Sequence, residues 1–419
     1  MGTQPDNPSR ESSEAPLVIA MFPRRITRFL KRVSRRLRKK FLWKTVIFNV
    51  YDRPNEWPLA LVHYVTEPFF DVGSEHQYIH STAWESVQLT RILDDLGYRV
   101  DVVDRSERSW LPDDTYELVV GNAAGNSGQR YPEYCRRTPS AHHMFYSRGP
   151  HTDVANQLVI DRYIALRKRT GLSGETMRVM DKVDTTLSMS MTDSILTIDS
   201  DGFTKSTYES TGKLVKTWFP PTSPMAKLDR ESLRDRNKSN FLCFAGNGFI
   251  AKGVDLLVEA FLVMPELNLT IAGPPGDELF WQIYGARIEQ SSNIKFVGFL
   301  DVGGKEYSDI CKTHAWTILP SAAEGVCTSV ATTMQSGLVP VVTLGTSVHV
   351  GDFGFLLPSD PDEIIESLKE LCPKLSVWND ADYEERVDKT IDAAGDYSED
   401  SYISSVTSAI KDILELESA

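Results

Sequence analysis

Short apolar runs alternate with longer amphipathic stretches from residue 45 onward, and the alternation stops once and restarts. TVIFNVYD (45–52) has strand character, and LALVHYVTEP (59–68) reads as a buried strand running into a loop. A helix is predicted from about Thr82 to Leu96, where Gly97 ends it, followed by strands at 98–104 and 116–122. HHMFYSRGPH (142–151) is a further strand and loop, residues 153–169 read as helix, and 193–202 supplies a late strand. Strands and helices in this rhythm predict a parallel sheet covered on both faces.

WFPPTSP (218–224) cannot continue a helix or a central strand. Beyond it the pattern resumes, with strands at 240–248, 267–275, 293–301, 314–321 and 339–344. Helices are predicted at 253–264, 325–337, 362–371 and 401–414. Two α/β halves, 45–220 and 238–419, would face each other across a cleft at the carboxyl ends of their strands, where doubly wound sheets bind ligands. A chain of 419 residues suits two domains of this kind.

Composition changes the picture in two places. Residues 1–23 offer little to bury and are expected to be disordered. Residues 24–44 carry eleven Lys or Arg and no acid, so the rest of the chain is more acidic than the net charge of −13 suggests. An acidic body disfavours nucleic acid as a partner. Within the basic stretch Ile26, Phe29, Leu30, Val33, Leu37 and Phe41 share one helical face, a pattern suited to an anionic membrane surface. A solvated charge run, or docking onto the acidic body, fits the same pattern. No apolar run approaches the roughly 20 residues that span a bilayer, and no secretory signal is legible. The expected location is the cytoplasm, with peripheral attachment to the inner face of the membrane. The five cysteines are scattered and never spaced as CxxC, and the histidines show no metal-binding spacing, so neither a metal nor a cofactor is expected.

Two segments carry candidate chemistry. FAGNGFIAKG joins a strand to a helix, so Asn247, Gly248 and the backbone before the helix could approach an anion, with Lys252 adding a full charge. In LPSAAEGVCTSVATTMQSGLVPVV, Glu324 sits in the loop after a strand and could accept from sugar hydroxyls. The N–H groups and hydroxyls of Gly325, Val326, Thr328 and Ser329 could hold phosphate oxygens. In the first half, Gly73, His76, His80 and Glu85 stand in or beside the first strand-to-helix loop. Asn122 follows another strand, and Arg148 and His151 end a third. These are weaker candidates for contacts to phosphate or to a ligand's hydroxyls.

The order of glycine turn plus KG, then IAGP, then NIKFVGFLD, then the Glu-Gly loop, then SGLVPVV resembles the C-terminal domain of retaining GT-B glycosyltransferases of the group 1, or family 4, type. The resemblance is strong over about 240–375 and architectural in the first half. It implies a GT-B fold of two Rossmann-like domains and a nucleotide-sugar donor held without metal. Lys252 would bind the donor diphosphate and Glu324 the donor sugar, with His151 a further catalytic candidate. The acceptor would be a glycan or a lipid-linked molecule, in polysaccharide biosynthesis. Two positions depart from the family: Thr332 stands where a second Glu commonly binds the ribose, and Asn247 where an Arg commonly partners the Lys. The departures keep open a non-catalytic sugar-nucleotide or glycan-binding protein of the same fold. A sugar-nucleotide epimerase of GT-B fold is a further alternative.

Overall fold

The computed structural model describes residues 44–70, 82–112, 116–121, 130–180, 185–222, 233 and 236–417. The expected disordered stretch 1–23 and nearly all of the basic segment 24–44 lie outside these residues, as do Gly73, His76, His80 and Asn122.

The first half forms a seven-stranded sheet from β1 (Val46–Ile47), β2 (Leu59–Tyr64), β3 (Arg99–Asp104), β4 (Leu118–Gly121), β5 (His142–Ser147), β6 (Ser194–Ile198) and β7 (Leu214–Trp218). Their spatial order is 1-3-2-4-5-6-7, with β1 antiparallel to β3 and every other pairing parallel. The second half forms a parallel sheet from β8 (Asn237–Phe244), β9 (Asn268–Ala272), β10 (Ile294–Gly298), β11 (His314–Leu319), β12 (Val339–Thr343) and β13 (Phe355–Leu357), ordered 10-9-8-11-12-13. Every residue of β2, β4, β6, β11 and β12 is buried, as layers of helix on both faces require. Both sheets belong to one compact unit, Thr45–Ala419.

The strand order places the sites. In the first sheet the chain leaves β2 for β3 on one side and returns to β4 on the other. In the second it leaves β8 for β9 and returns to β11. Each reversal opens a crevice at the carboxyl ends of the two central strands. The loops that leave β8 and β11 hold Lys252 and Glu324.

Local chemistry sets the helix ends. Gly171, at φ 74°, closes the helix Thr152–Thr170. Asp360 caps Pro361–Ser376 by accepting from the backbone N–H groups of Asp362 and Glu363, with Pro361 in the first turn. The helix Thr152–Thr170 also ties the lobes together. Arg162 Nη2 donates to the carbonyl of Pro320 at 3.0 Å, and Arg169 Nη2 to Asp255 Oδ2 at 2.6 Å.

The late helix Glu399–Glu417 packs against β6, β7 and the helix Thr82–Asp95, all parts of the first lobe. Tyr402 from that helix meets Trp84 edge-on at 5.0 Å and Trp218 at 5.3 Å. Trp218 stacks on Tyr146 at 5.1 Å. These rings lie in one apolar core that runs through both lobes.

Candidate functional site

Lys252 lies in the turn between β8 and the helix Val254–Phe261, its backbone N–H donating to the carbonyl of Gly248 at 3.0 Å. Only 4 % of the residue is exposed. Its ammonium donates to Glu324 Oε1 at 2.6 Å, and Ser321 Oγ donates to the same oxygen at 2.8 Å. The other carboxylate oxygen accepts from Arg178 Nη2 at 3.1 Å. The backbone N–H of Glu324 donates to the carbonyl of Gly345 at 2.7 Å, which fixes the loop under the side chain. Burial alone would raise the pKa of Glu324. The Lys252 ammonium and the Arg178 guanidinium outweigh it and hold the carboxyl below its usual range. The group is therefore an ionised hydrogen-bond acceptor at neutral pH.

Beyond this cluster the helix Thr328–Gln335 begins at Cys327, which makes no side-chain cap, so no side chain of the capping residue occupies its leading N–H groups. Ser329 Oγ donates to the carbonyl of Phe244 at 2.7 Å, pinning the helix to the end of β8. Val326 is buried, and Thr328 and Ser329 are half-buried. Thr332 is buried and donates to the carbonyl of Thr328 at 2.7 Å, spending its only proton within its own helix. Asn247 is exposed at the tip of the glycine turn.

The first lobe supplies the opposite wall. A cavity of roughly 340 Å³ lies between Tyr146–Pro150, Arg178, Met180 and Tyr208 on one side and Ala323–Gly325 on the other. Gly325 makes the close approach possible: a Cβ on it would stand 2.5 Å from the Arg148 carbonyl oxygen and 2.9 Å from Ile198 Cγ2. Arg148 lines this cavity with its Nε 3.0 Å from Glu85 Oε2, and Glu85 also accepts from Tyr64 Oη at 2.7 Å. Desolvation would lower the pKa of Arg148, but Glu85, with Tyr64, Tyr146 and Tyr402 adding to it, outweighs that and holds the pKa above its usual value.

His151 caps the helix Thr152–Thr170, accepting from the Asp153 N–H at 3.4 Å, and packs edge-on to Tyr208 at 5.6 Å. It does not line the cavity. The structure thus brings Glu324, Gly325 and Arg148 around one space, with Lys252 behind it bonded to Glu324, and sets Thr332 and His151 into helix hydrogen bonding. Glu85, read from sequence as a polar group near the cleft, is instead a buried partner of Arg148. Arg178 escaped the sequence reading, since a single arginine in a loop carries no motif. Among the described residues no group of three His, Cys, Asp or Glu could hold a metal ion, and no helix is long and apolar enough to cross a membrane.

The region that holds Lys252 and Glu324 matches a known family. Residues 239–373 match the family model described as Glycosyl transferases group 1. Among solved structures, sucrose-phosphate synthase from Thermosynechococcus elongatus superposes with a TM-score of 0.54 at 12 % identity, over 86 % of this chain and 100 % of that one. The N-terminal domain of trehalose-6-phosphate phosphatase from Candida albicans gives 0.49 at 10 % identity, over 88 % and 99 %. WaaG, a glycosyltransferase involved in lipopolysaccharide biosynthesis, gives 0.47 at 13 % identity, over 83 % and 98 %. No curated protein matches the chain. The two mostly parallel sheets and the first of these likenesses establish a two-domain, Rossmann-like GT-B fold, as expected from the sequence.

Proposed function

We propose that this chain is a glycosyltransferase that moves a sugar from a nucleotide-sugar donor to a glycan or lipid-linked acceptor with retention of configuration. The observation that carries the reading is the Lys252–Glu324 pair at the strand-order reversal of the matched domain, whose carboxylate lines the cavity between the lobes. In this reading Lys252 and the leading N–H groups of the helix Thr328–Gln335 hold the donor diphosphate, which leaves with the negative charge that develops as the glycosidic bond breaks. Glu324 accepts from hydroxyls of the donor sugar and orients it. Arg148, fixed by Glu85, faces the acceptor side. The basic segment 24–44 would hold the enzyme on the anionic inner face of the membrane, close to a lipid-linked acceptor.

Thermal shift against UDP-, GDP-, ADP- and dTDP-sugars, followed by nucleotide release with the donor that binds, tests the assignment. A shift with one nucleotide series, lost in Lys252→Ala and Glu324→Ala, together with turnover, is the expected result. Binding without release of nucleotide in the presence of acceptor glycans would favour a non-catalytic sugar-nucleotide-binding protein, a reading that the uncharged Asn247 and the self-bonded Thr332 make specific. Vesicle flotation of the full chain beside a chain lacking residues 1–42 tests the membrane attachment, and equal flotation would sink it.

A further inference from the structure

Arg178 belongs to the first half of the sequence but acts on the second lobe. Its backbone is left-handed at φ 70°, a conformation few residues other than glycine adopt. The segment around it is anchored at both ends. The Met177 N–H donates to Tyr163 Oη at 3.0 Å, while Asn156 accepts from the Met180 N–H at 2.8 Å and donates to its carbonyl at 3.0 Å. From this base the side chain runs across Gly248, where a Cβ would lie 2.8 Å from Arg178 Cδ and 3.0 Å from its Cγ. The arm thus crosses the glycine turn beside Asn247, which bears no charge.

Two cations, Lys252 and Arg178, converge on the single carboxylate of Glu324. Arg148 and Glu85 balance each other nearby, so the cluster carries one positive charge in excess. Arg178 is the more exposed cation, with 36 % of its side chain open against 5 % for Lys252, and it lines the cavity directly. The geometry suits an anion that takes the guanidinium from the carboxylate.

We infer that Arg178 is a donor-diphosphate ligand supplied across the cleft by the first lobe, and that Glu324 holds it in place until the phosphate arrives. This rests on the donor-site reading above. Transfer of the guanidinium to a phosphate oxygen frees Glu324 Oε2 to accept from a sugar hydroxyl, so phosphate binding and sugar binding become coupled through one side chain. The arrangement also makes tight binding of the diphosphate depend on the two lobes being closed, because Lys252 and Arg178 come from different lobes.

Calorimetric titration separates the inference from the reading it rests on. UDP, GDP, ADP and dTDP, and the four corresponding nucleosides, would be titrated into wild type, Lys252→Met, Arg178→Gln and Arg178→Lys. A charge-assisted bond to phosphate predicts that Arg178→Gln weakens the preferred nucleoside diphosphate by about 10- to 100-fold. Its nucleoside should still bind as to wild type, and Arg178→Lys should recover part of the loss. Arg178→Gln binding the diphosphate within twofold of wild type, while Lys252→Met loses it, would overturn the inference and leave the donor site standing. A loss of nucleoside and diphosphate alike would also overturn it, since the arginine would then only shape the pocket. Wild type binding none of the four would overturn the donor-site reading and the inference with it.

Discussion

The Lys252–Glu324 pair allows a prediction that needs no ligand. The side chains are 5 % and 11 % exposed and their charged atoms stand 2.6 Å apart. At an effective dielectric constant near 20 that separation gives a gross attraction of about 6 kcal/mol, from which the loss of water around both ions must be subtracted. Glu324→Leu leaves the ammonium buried without its carboxylate and should cost about 3–5 kcal/mol. Lys252→Met should cost less, because Glu324 keeps Arg178 and Ser321. With both replaced there is no stranded ammonium, so the double variant should be clearly more stable than the sum of the singles predicts. The expected coupling is at least ~2 kcal/mol. Urea unfolding followed by tryptophan fluorescence and circular dichroism measures it, the comparison being valid where the slopes match. A coupling energy below ~0.5 kcal/mol would refute the argument that the two charges hold each other in the resting protein.

Three further outcomes follow from other contacts. Gly325→Ala puts a Cβ 2.5 Å from the Arg148 carbonyl oxygen, so the lobes must part or the loop must move. The strain should be about 1–3 kcal/mol, and a variant unchanged in both urea midpoint and small-angle scattering profile would rule the contact out. His63 is fully buried with no hydrogen-bond partner for either ring nitrogen among the described residues, and desolvation pushes its pKa down to about 3. The unfolded chain, titrating near pH 6.5, then binds the extra proton first, so stability is full above that pH and is lost as pH falls toward 3. At pH 5 the loss is about 2 kcal/mol relative to pH 8, and His63→Leu should shrink the difference between those two pH values by that amount. An unchanged difference would count against it. Trp218→Ala removes a ring with no exposed surface between Tyr146 and Tyr402 and should cost about 3–5 kcal/mol in the same urea assay, whereas a cost under ~1 kcal/mol would mean the aromatic cluster is not a structural centre.

The order of α/β units was legible because fully buried parallel strands leave short apolar runs that few other structures produce. Lys252 and Glu324 were legible because each stands in the loop that leaves such a strand, and strand ends at an order reversal converge. β7 was missed since LVKTW is a largely half-exposed edge strand without an unbroken apolar run. The helix Glu278–Gln290 was missed because half-buried Trp281 and Ile283 crowd the buried face of Phe280, Tyr284 and Ile288 and blur its period, and Gly285 interrupts it. Arg178 and Glu324 are 146 positions apart, and only the tertiary fold brings them together. His151 shows the opposite limit. A histidine at the end of a strand reads as a candidate ligand contact, but the structure also sets this one at the start of a helix, where its Nδ1 accepts from the Asp153 N–H.

The late helix that closes over β6 and β7 has a consequence for how this protein is made. Trp84, Tyr146 and Trp218 leave the ribosome well before Tyr402, so the first lobe must wait, with an aromatic face uncovered, for a helix encoded almost at the far side of the second lobe. The second sheet has no such debt, since all six of its strands lie between residues 237 and 357. It can therefore finish first although it is translated later. In the cell, the first lobe would be the half that relies on chaperones during synthesis, and a ribosome stalled before residue 399 would release a chain prone to aggregate through that face.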